Sequence, residues 1–453
     1  MENSKRKAGS EMRALKWTAR HPGSLLVPAI PAGMAASALG LGTSTTGAVL
    51  GAGALGMAAW YRGHPDSFDA LVAPRVRAWR RRWWSRYTGA RWRDTLLACD
   101  LVTTDRKSGE YRVPRILRVT SPSPSIDLVR VRLHPGQHAN QWLDKLPVLA
   151  DALRVERVAV ERVKPQVIAL VVERSEPFTE VIDAPEMPWD SDAVDLGSLY
   201  LGDTEYGTDW CEGLAGQHLF VAGATGSGKG SLAWGPLRGL APMIRDGIVR
   251  PWVLDPKRME LAKAEAFAHR YAAEPADCLT VAKEFVEDCI EVQKRLAAQG
   301  VRKFTPSRET PLNLLLVDEM AALTGFAEMA LAREFRRLFN IVGTQGRATG
   351  HSMLGYVQEP TKDNVAMRDL FTVRVCLRVT SAGHVDMTLG DGARQRGALA
   401  DEIPNDVSTA GIGYVIRQRS RVPMRVRAAY VNDAEIDELI RFVTSGPGLR
   451  VVA

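Results

Sequence analysis

The sequence predicts an α/β fold with a mostly parallel sheet, preceded by a small α+β domain and an N-terminal helical hairpin. Three observations lead there. Short apolar runs alternate with helical stretches through the second half of the chain. A glycine-rich loop lies between one such run and a helix. Near the N-terminus, the 41 residues from His21 to Tyr61 contain no Asp, Glu, Lys or Arg.

The 453 residues give room for two or three domains. The net charge of +7 is unevenly placed: residues 1–95 hold 15 Lys/Arg against 5 Asp/Glu, a balance of +10, which leaves −3 for the rest. The basic excess therefore belongs to the N-terminal region and points to a local anionic partner, lipid headgroups or nucleic acid. Bulk charge does not mark the remainder as DNA-binding. Cys99, Cys211, Cys278, Cys289 and Cys376 are scattered and odd in number, which excludes a disulfide frame and a zinc ribbon and reads as reduced core thiols.

The charge-free run would measure about 60 Å as helix at about 1.5 Å per residue. Two crossings of a hydrocarbon core about 30 Å thick fit within it. "GTST", Gly42 to Thr45, lies near the middle and supplies a turn. Basic residues flank both ends, Lys5 to Arg20 before and Arg62 then Arg75 to Arg93 after, which suits a transmembrane hairpin with both ends in the cytoplasm. The plain alternative is a buried Ala/Gly helical pair. The expected order is a basic cytoplasmic segment at 1–20, a hairpin at 21–62 and a Trp/Arg-rich juxtamembrane segment at 63–95. The last reads as interfacial, with DNA contact as the alternative.

Residues 96–182 read as the small α+β domain. "DLVRVRLHPG" and "VERVAVERV" alternate as half-buried strands do, and "NQWLDKLPVLADALRV" between them has helical spacing. Residues 183–198 are acidic and contain two prolines, which reads as a linker. The stretch 199–453 is the larger domain.

"GQHLFVAGATGSGKGSLAWGPLRGL" runs strand, glycine loop, helix, the context a phosphate-binding loop requires. Gly223, Ala224, Thr225, Gly226, Ser227 and Gly228 would turn backbone N–H groups toward phosphate oxygens, and Lys229 would reach the β- and γ-phosphates of ATP. Gly230 stands where a magnesium-holding hydroxyl is expected, and Ser231 follows one place late. Either Ser231 reaches Mg2+, or water takes that ligand place.

"PLNLLLVDEMAAL" reads as a buried parallel strand with Asp318 and Glu319 at its C-terminal end, the edge where open α/β sheets bind ligands. Asp318 would hold Mg2+ and Glu319 would polarise the attacking water; a helix N-terminal pair of acids is the plain alternative. Further strands are expected in "RPWVLDPKRMEL", "HSMLGYVQEPTKD" and "TVRVCLRV". Gln358, at the tip of the second of these, is either a γ-phosphate sensor or a solvated turn residue.

Residues from about 110 to 440 resemble the FtsK/SpoIIIE family of ring-shaped DNA translocases. The resemblance rests on "HLFVAGATGSGKG", "LDPKRMEL", "LLLVDEMAAL", "GRATGHSMLGYVQEP" and "VRVCLRVTSAGHVDMTLGDGARQRGAL", in that order. It implies a RecA-like P-loop motor, a homo-hexamer around double-stranded DNA, and pumping driven by ATP hydrolysis. Lys229, Asp318 and Glu319 match the family's phosphate lysine and acidic pair, and Gln358 its sensor-like glutamine. Arg347 stands where a subunit-bridging arginine is expected, with Arg333, Arg336, Arg337 and Arg374 as rivals. Loops carrying Lys362 and Arg394 to Arg396 are candidates for pore contacts. The "GKGS" order departs from the chromosomal pattern and is similar to the TraB-like conjugative branch of actinobacteria. No stretch after the motor resembles the family's winged-helix module. Together these imply a membrane-bound translocase for plasmid or integrative-element transfer, working with other transfer proteins. Chromosome segregation, a type IV-like coupling ATPase and a secretion ATPase are the alternatives.

Overall fold

The computed structural model describes residues 40, 43–105, 108–301, 304–361, 367–417 and 420–446. The chain divides into two compact units between Ser85 and Arg86.

Among the described residues of the first unit, the helices α1 (Thr43–Gly63), α2 (Pro65–Leu71) and α3 (Ala73–Trp84) follow one another. Phe68 packs edge-on against Trp60 and Tyr61, and Trp60 Nε1 donates to Ser67 Oγ at 2.7 Å, closing the corner between α1 and α2. The 21 residues of α1 would span about 31 Å. Its threonines and Gly47, Gly51, Gly53 and Gly56 dilute the apolar content, and among the described residues no helix is long and apolar enough to cross a membrane. This corrects the expectation for the second arm of the hairpin; the first arm lies outside the described residues.

The second unit begins with α4 (Gly89–Ala98). Tyr87, Trp92 and Leu96 are buried in its core, so the stretch expected to be juxtamembrane to residue 95 gives up its last third to the small sheet. A two-stranded ribbon, β1 (Thr103–Thr104) and β2 (Tyr111–Arg112), leads into β3 (Arg115–Thr120) and β4 (Ile126–Arg132). After α5 (Ala139–Leu143) and α6 (Leu146–Leu153) come β5 (Arg157–Lys164) and β6 (Val167–Glu173). The sheet order is β3-β4-β6-β5, antiparallel throughout. The single helical pattern read from the sequence is split in two, because Pro147 has no amide N–H and starts a new helix better than it continues one.

The large sheet is built, among the described residues, from β7 (Leu199–Thr204), β8 (Asp209–Glu212), β9 (Leu219–Ala222), β10 (Val249–Leu254), β11 (Arg270–Ala272), β12 (Leu312–Val317), β13 (His351–Val357), β14 (Val373–Leu377), β15 (Ile412–Arg417) and β16 (Ser420–Ala428). Their order is β11-β10-β12-β13-β9-β14-β15-β16-β7-β8. The first six run parallel, and the rest extend the sheet antiparallel. Side chains alternate faces along each strand. Leu314 and Leu316 join the core under α7 (Lys229–Gly239), α8 (Ala241–Arg245) and the C-terminal helix Asp433–Thr444. Leu315 and Val317 join the opposite core under α9 (Pro275–Ala298), α10 (Met320–Thr324) and α11 (Met329–Thr349). Burial on both faces explains why β12 reads as a nearly unbroken apolar run.

Candidate nucleotide site

Five neighbouring strands, β10, β12, β13, β9 and β14, point their C-terminal ends at one edge of the sheet. The residue just past each end is polar or glycine: Asp255, Asp318, Gln358, Gly223 and Arg378 respectively. The parallel register thus gathers residues more than a hundred positions apart in sequence.

The loop after β9 is held from both sides. Gly223 N–H donates to Val357 O at 3.0 Å, Ala224 N–H to Arg378 O at 2.8 Å, and Gly411 N–H to Ser227 O at 2.9 Å. Gly228 takes φ +96°, and a Cβ there would lie 2.6 Å from Gly411 N, so the turn into α7 needs glycine. Gly226 is also in the left-handed region, at φ +73°, and is exposed like Thr225. Ser227 is buried beneath the loop, and a Cβ on Gly223 would collide with its hydroxyl. Lys229 opens α7 and donates from Nζ to Gly223 O at 2.6 Å and Ala224 O at 3.0 Å. Burial pulls its pKa below the ordinary lysine value, against the nearby charges of Glu319 and Asp318.

Asp318 is buried, and its pKa is pushed up to about 6, first by desolvation and then by the charges of Asp255, Glu319 and Glu260. Glu319 takes a left-handed backbone, φ +45°, which costs a non-glycine residue about 1–2 kcal/mol and is the kind of strain found at functional sites. That turn aims its carboxylate at Lys257 Nζ, 2.8 Å away, and at the N–H of Gln358, 3.2 Å away. The Gln358 side chain faces the loop, where Thr225 Oγ1 donates to its Oε1 at 3.4 Å. Gln358 thus spans the gap between Glu319 and the phosphate loop. Arg378 donates to Thr225 O at 2.6 Å from the other flank.

Two residues singled out by sequence stand elsewhere. Ser231 is buried, and its Oγ accepts from the N–H of Val431 at 3.3 Å. Arg347 is exposed in the last turn of α11, which runs directly into the start of β13. That is the sheet edge opposite Gln358, about 20 Å away along a seven-residue strand. Of its rivals, Arg336 donates to Thr324 O, Arg337 pairs with Glu334 and Arg374 with Asp369. Arg394 is held by Asp401 and Glu402, so it is not a freely offered pore contact; Lys362 lies outside the described residues.

Sequence reasoning placed Asp255 and Lys257 at the end of a strand but gave no site role to them, to Glu260 or to Arg378. The available signal was position: Asp255 and Arg378 directly follow apolar parallel strands, as Asp318 does.

The profile described as "FtsK/SpoIIIE family" matches residues 163–405, more than half of the chain. The DNA translocase FtsK of Streptococcus pyogenes serotype M3 is 23% identical over 341 residues, covering 71% of this chain and 41% of the translocase. DNA translocase FtsK 1 of Neisseria meningitidis serogroup B is 24% identical over 309 residues, covering 59% of this chain and 35% of that protein. The chain therefore spans about two fifths or less of these relatives. Among solved structures, the pCW3 conjugation coupling protein TcpA with ATPγS is similar over 78% of this chain and 98% of its own, at 17% identity and a TM-score of 0.49.

Proposed function

This chain belongs to the FtsK/SpoIIIE family of P-loop ATPases, and we propose that it couples ATP hydrolysis to the movement of double-stranded DNA through a homo-hexameric ring. The observation that carries this reading is the convergence of Lys229, Asp318, Glu319, Gln358 and Arg378 on one sheet edge. DNA as the substrate is supported by the relatives, which are named DNA translocases.

The loop N–H groups and Lys229 would bind the phosphates of ATP. Glu319, placed by its strained turn and held by Lys257, would orient and deprotonate the attacking water. Gln358 bonds to both Glu319 and the loop, so a change at the phosphates would reach Glu319 through it. Arg347, remote from its own subunit's Lys229, would serve a neighbouring subunit's site.

The residues fit a divalent cation. Asp255, Glu260, Asp318 and Glu319 outnumber Lys229 and Lys257, and Asp255 Oδ1 is buried with no hydrogen-bond partner among the described residues. A magnesium ion here would be held by one or two carboxylates and completed by phosphate and water. Asp318 would hold Mg2+, whose charge would offset that developing on the phosphates.

Membrane attachment through the N-terminal unit belongs to the same proposal. Its support is helix α3, where Trp79, Trp83 and Trp84 are exposed among arginines. The "GKGS" loop supports a role in conjugative transfer over chromosome segregation.

The test is ATPase activity of the purified chain with duplex or single-stranded DNA. Duplex should stimulate hydrolysis at least tenfold over single strands, and Lys229→Ala should abolish it. Absence of hydrolysis, or a Lys229→Ala variant as active as the parent, would overturn the proposal.

A further inference from the structure

Gly230 marks a replacement at the nucleotide site. A Cβ built on Gly230 falls inside the carboxylate of Glu260. Glu260 belongs to the turn after β10, a separate segment of chain. The place from which a serine or threonine at position 230 would present its hydroxyl is filled by the oxygen of another residue.

Several contacts fix the backbone of Glu260 there. Trp234 lies four residues after Gly230, on the same face of α7, and its Nε1–H donates to the backbone oxygen of Glu260 at 3.2 Å. The N–H of Leu261, the next residue, donates to Asp255 Oδ2 at 3.2 Å. Arg258, within the same turn, takes a left-handed φ of +53°. The Glu260 backbone is therefore pinned to α7 on one side and to Asp255 on the other, while its side chain is exposed. Gly230 opens space for the carboxylate and Trp234 docks the turn that delivers it.

The surroundings point to a cation. Asp255 is fully buried, and its second oxygen, Oδ1, has no hydrogen-bond partner among the described residues. Ser231, the late hydroxyl of the loop, is buried on the Val431 side of α7 and already accepts a hydrogen bond there.

We propose that Glu260 takes over the role of the missing loop hydroxyl, supplying an oxygen ligand, directly or through water, to the divalent cation that accompanies the bound nucleotide. The proposal rests on reading the loop as a nucleotide site. Carboxylate is a stronger ligand for a hard cation than a neutral hydroxyl, so the exchange keeps the ligand and adds charge.

The experiment uses the full chain, with Mn2+ as the probe, followed by its electron paramagnetic resonance in the presence of saturating ADP. Fluorescent ADP binding in EDTA is measured alongside. Glu260→Gln should weaken Mn2+ at least tenfold while metal-free ADP affinity stays within twofold. Gly230→Ser should also weaken Mn2+, because its side chain displaces Glu260. Gly230→Ser with Glu260→Ala should recover most of the loss, since it recreates the ordinary loop. Mn2+ affinity within twofold of the parent in Glu260→Gln would overturn the proposal, as would Ser231→Ala weakening Mn2+ more than Glu260→Gln does. If the parent binds no ADP in EDTA or with Mn2+, the nucleotide-site reading itself fails, a result distinct from either.

Discussion

Arg157 on β5 joins the small sheet to the motor, and removing its partner gives a sharp prediction. Its Nε donates to Glu173 at 2.8 Å, Nη2 to Glu205 at 3.1 Å and Nη1 to the backbone oxygen of Gly397 at 2.8 Å. Arg425, on β16, pairs with Glu173 and Glu176, and its N–H donates to Glu205 at 3.2 Å. The side chains of Arg157, Arg425, Glu173 and Glu205 are 13, 10, 5 and 3% exposed, so two positive and two negative charges share a nearly dry space. Glu205→Gln keeps the shape and removes one charge, which leaves Arg157 and Arg425 sharing Glu173 as their buried carboxylate. Fully orphaning a buried charge costs about 3–5 kcal/mol; Arg157 keeps Glu173, so the expected loss is smaller, about 1–3 kcal/mol. Arg157→Met should cost at least as much, since it removes the ion-pair partner of Glu205 and leaves it the backbone N–H of Arg425. The double variant retains the Arg425 pairs with Glu173 and Glu176 and should be more stable than additivity predicts by about 1 kcal/mol or more. Denaturant unfolding of the parent, both single variants and the double variant measures this, with hydrogen exchange in β5 and β16 as the local readout. Single variants within about 0.5 kcal/mol of the parent, or strict additivity, would refute the idea that these charges form one unit.

Two further outcomes follow from the site. Glu319→Gln should preserve ATP binding but slow single-turnover hydrolysis by about 100-fold or more, the scale of a lost general base; a rate within tenfold of the parent would remove Glu319 from that role. His218, just before β9, is buried with Nδ1 accepting from Met353 N–H at 3.0 Å, and burial lowers its pKa from 6.5 to about 4. The folded state therefore resists protonation where the unfolded chain accepts it, and this contribution is complete above pH 6.5 and lost between 6.5 and about 4. A shift of that size corresponds to about 3 kcal/mol, and His218→Gln should flatten the loss when stability is followed through that pH window.

The sequence was most legible where function depends on neighbours in the chain. The loop from Gly223 to Lys229 needs consecutive backbone donors, and the run ending in Asp318 and Glu319 needs a buried strand before it, so both carry their signal within a dozen residues. Antiparallel β15, β16, β7 and β8 carry no such mark; only pairing reveals that β7 and β8, which precede β9 in the chain, lie beyond β16 in the sheet. Trp92 was misplaced for a related reason. An arginine-flanked tryptophan looks interfacial until the fold supplies Leu96 and the small sheet to bury it. Arg347 shows the opposite limit, since the family resemblance implies a bridging residue but only the strand direction shows it remote from its own Lys229.

Gly230 joins these cases into one argument. As a letter it reads as a defect in the loop, because a phosphate-loop pattern describes only its own segment. The structure couples positions 230 and 260: a side chain at 230 makes the end of the Glu260 side chain swing aside, and losing that carboxylate opens room for a side chain. A glycine there tells of its partner only after β10 and β9 are set in register around β12 and β13 and Trp234 has docked the turn. The departure from the motif is thus better understood as a ligand moved from the loop to the neighbouring strand's turn, and its cost should appear at whichever of the two positions is changed alone.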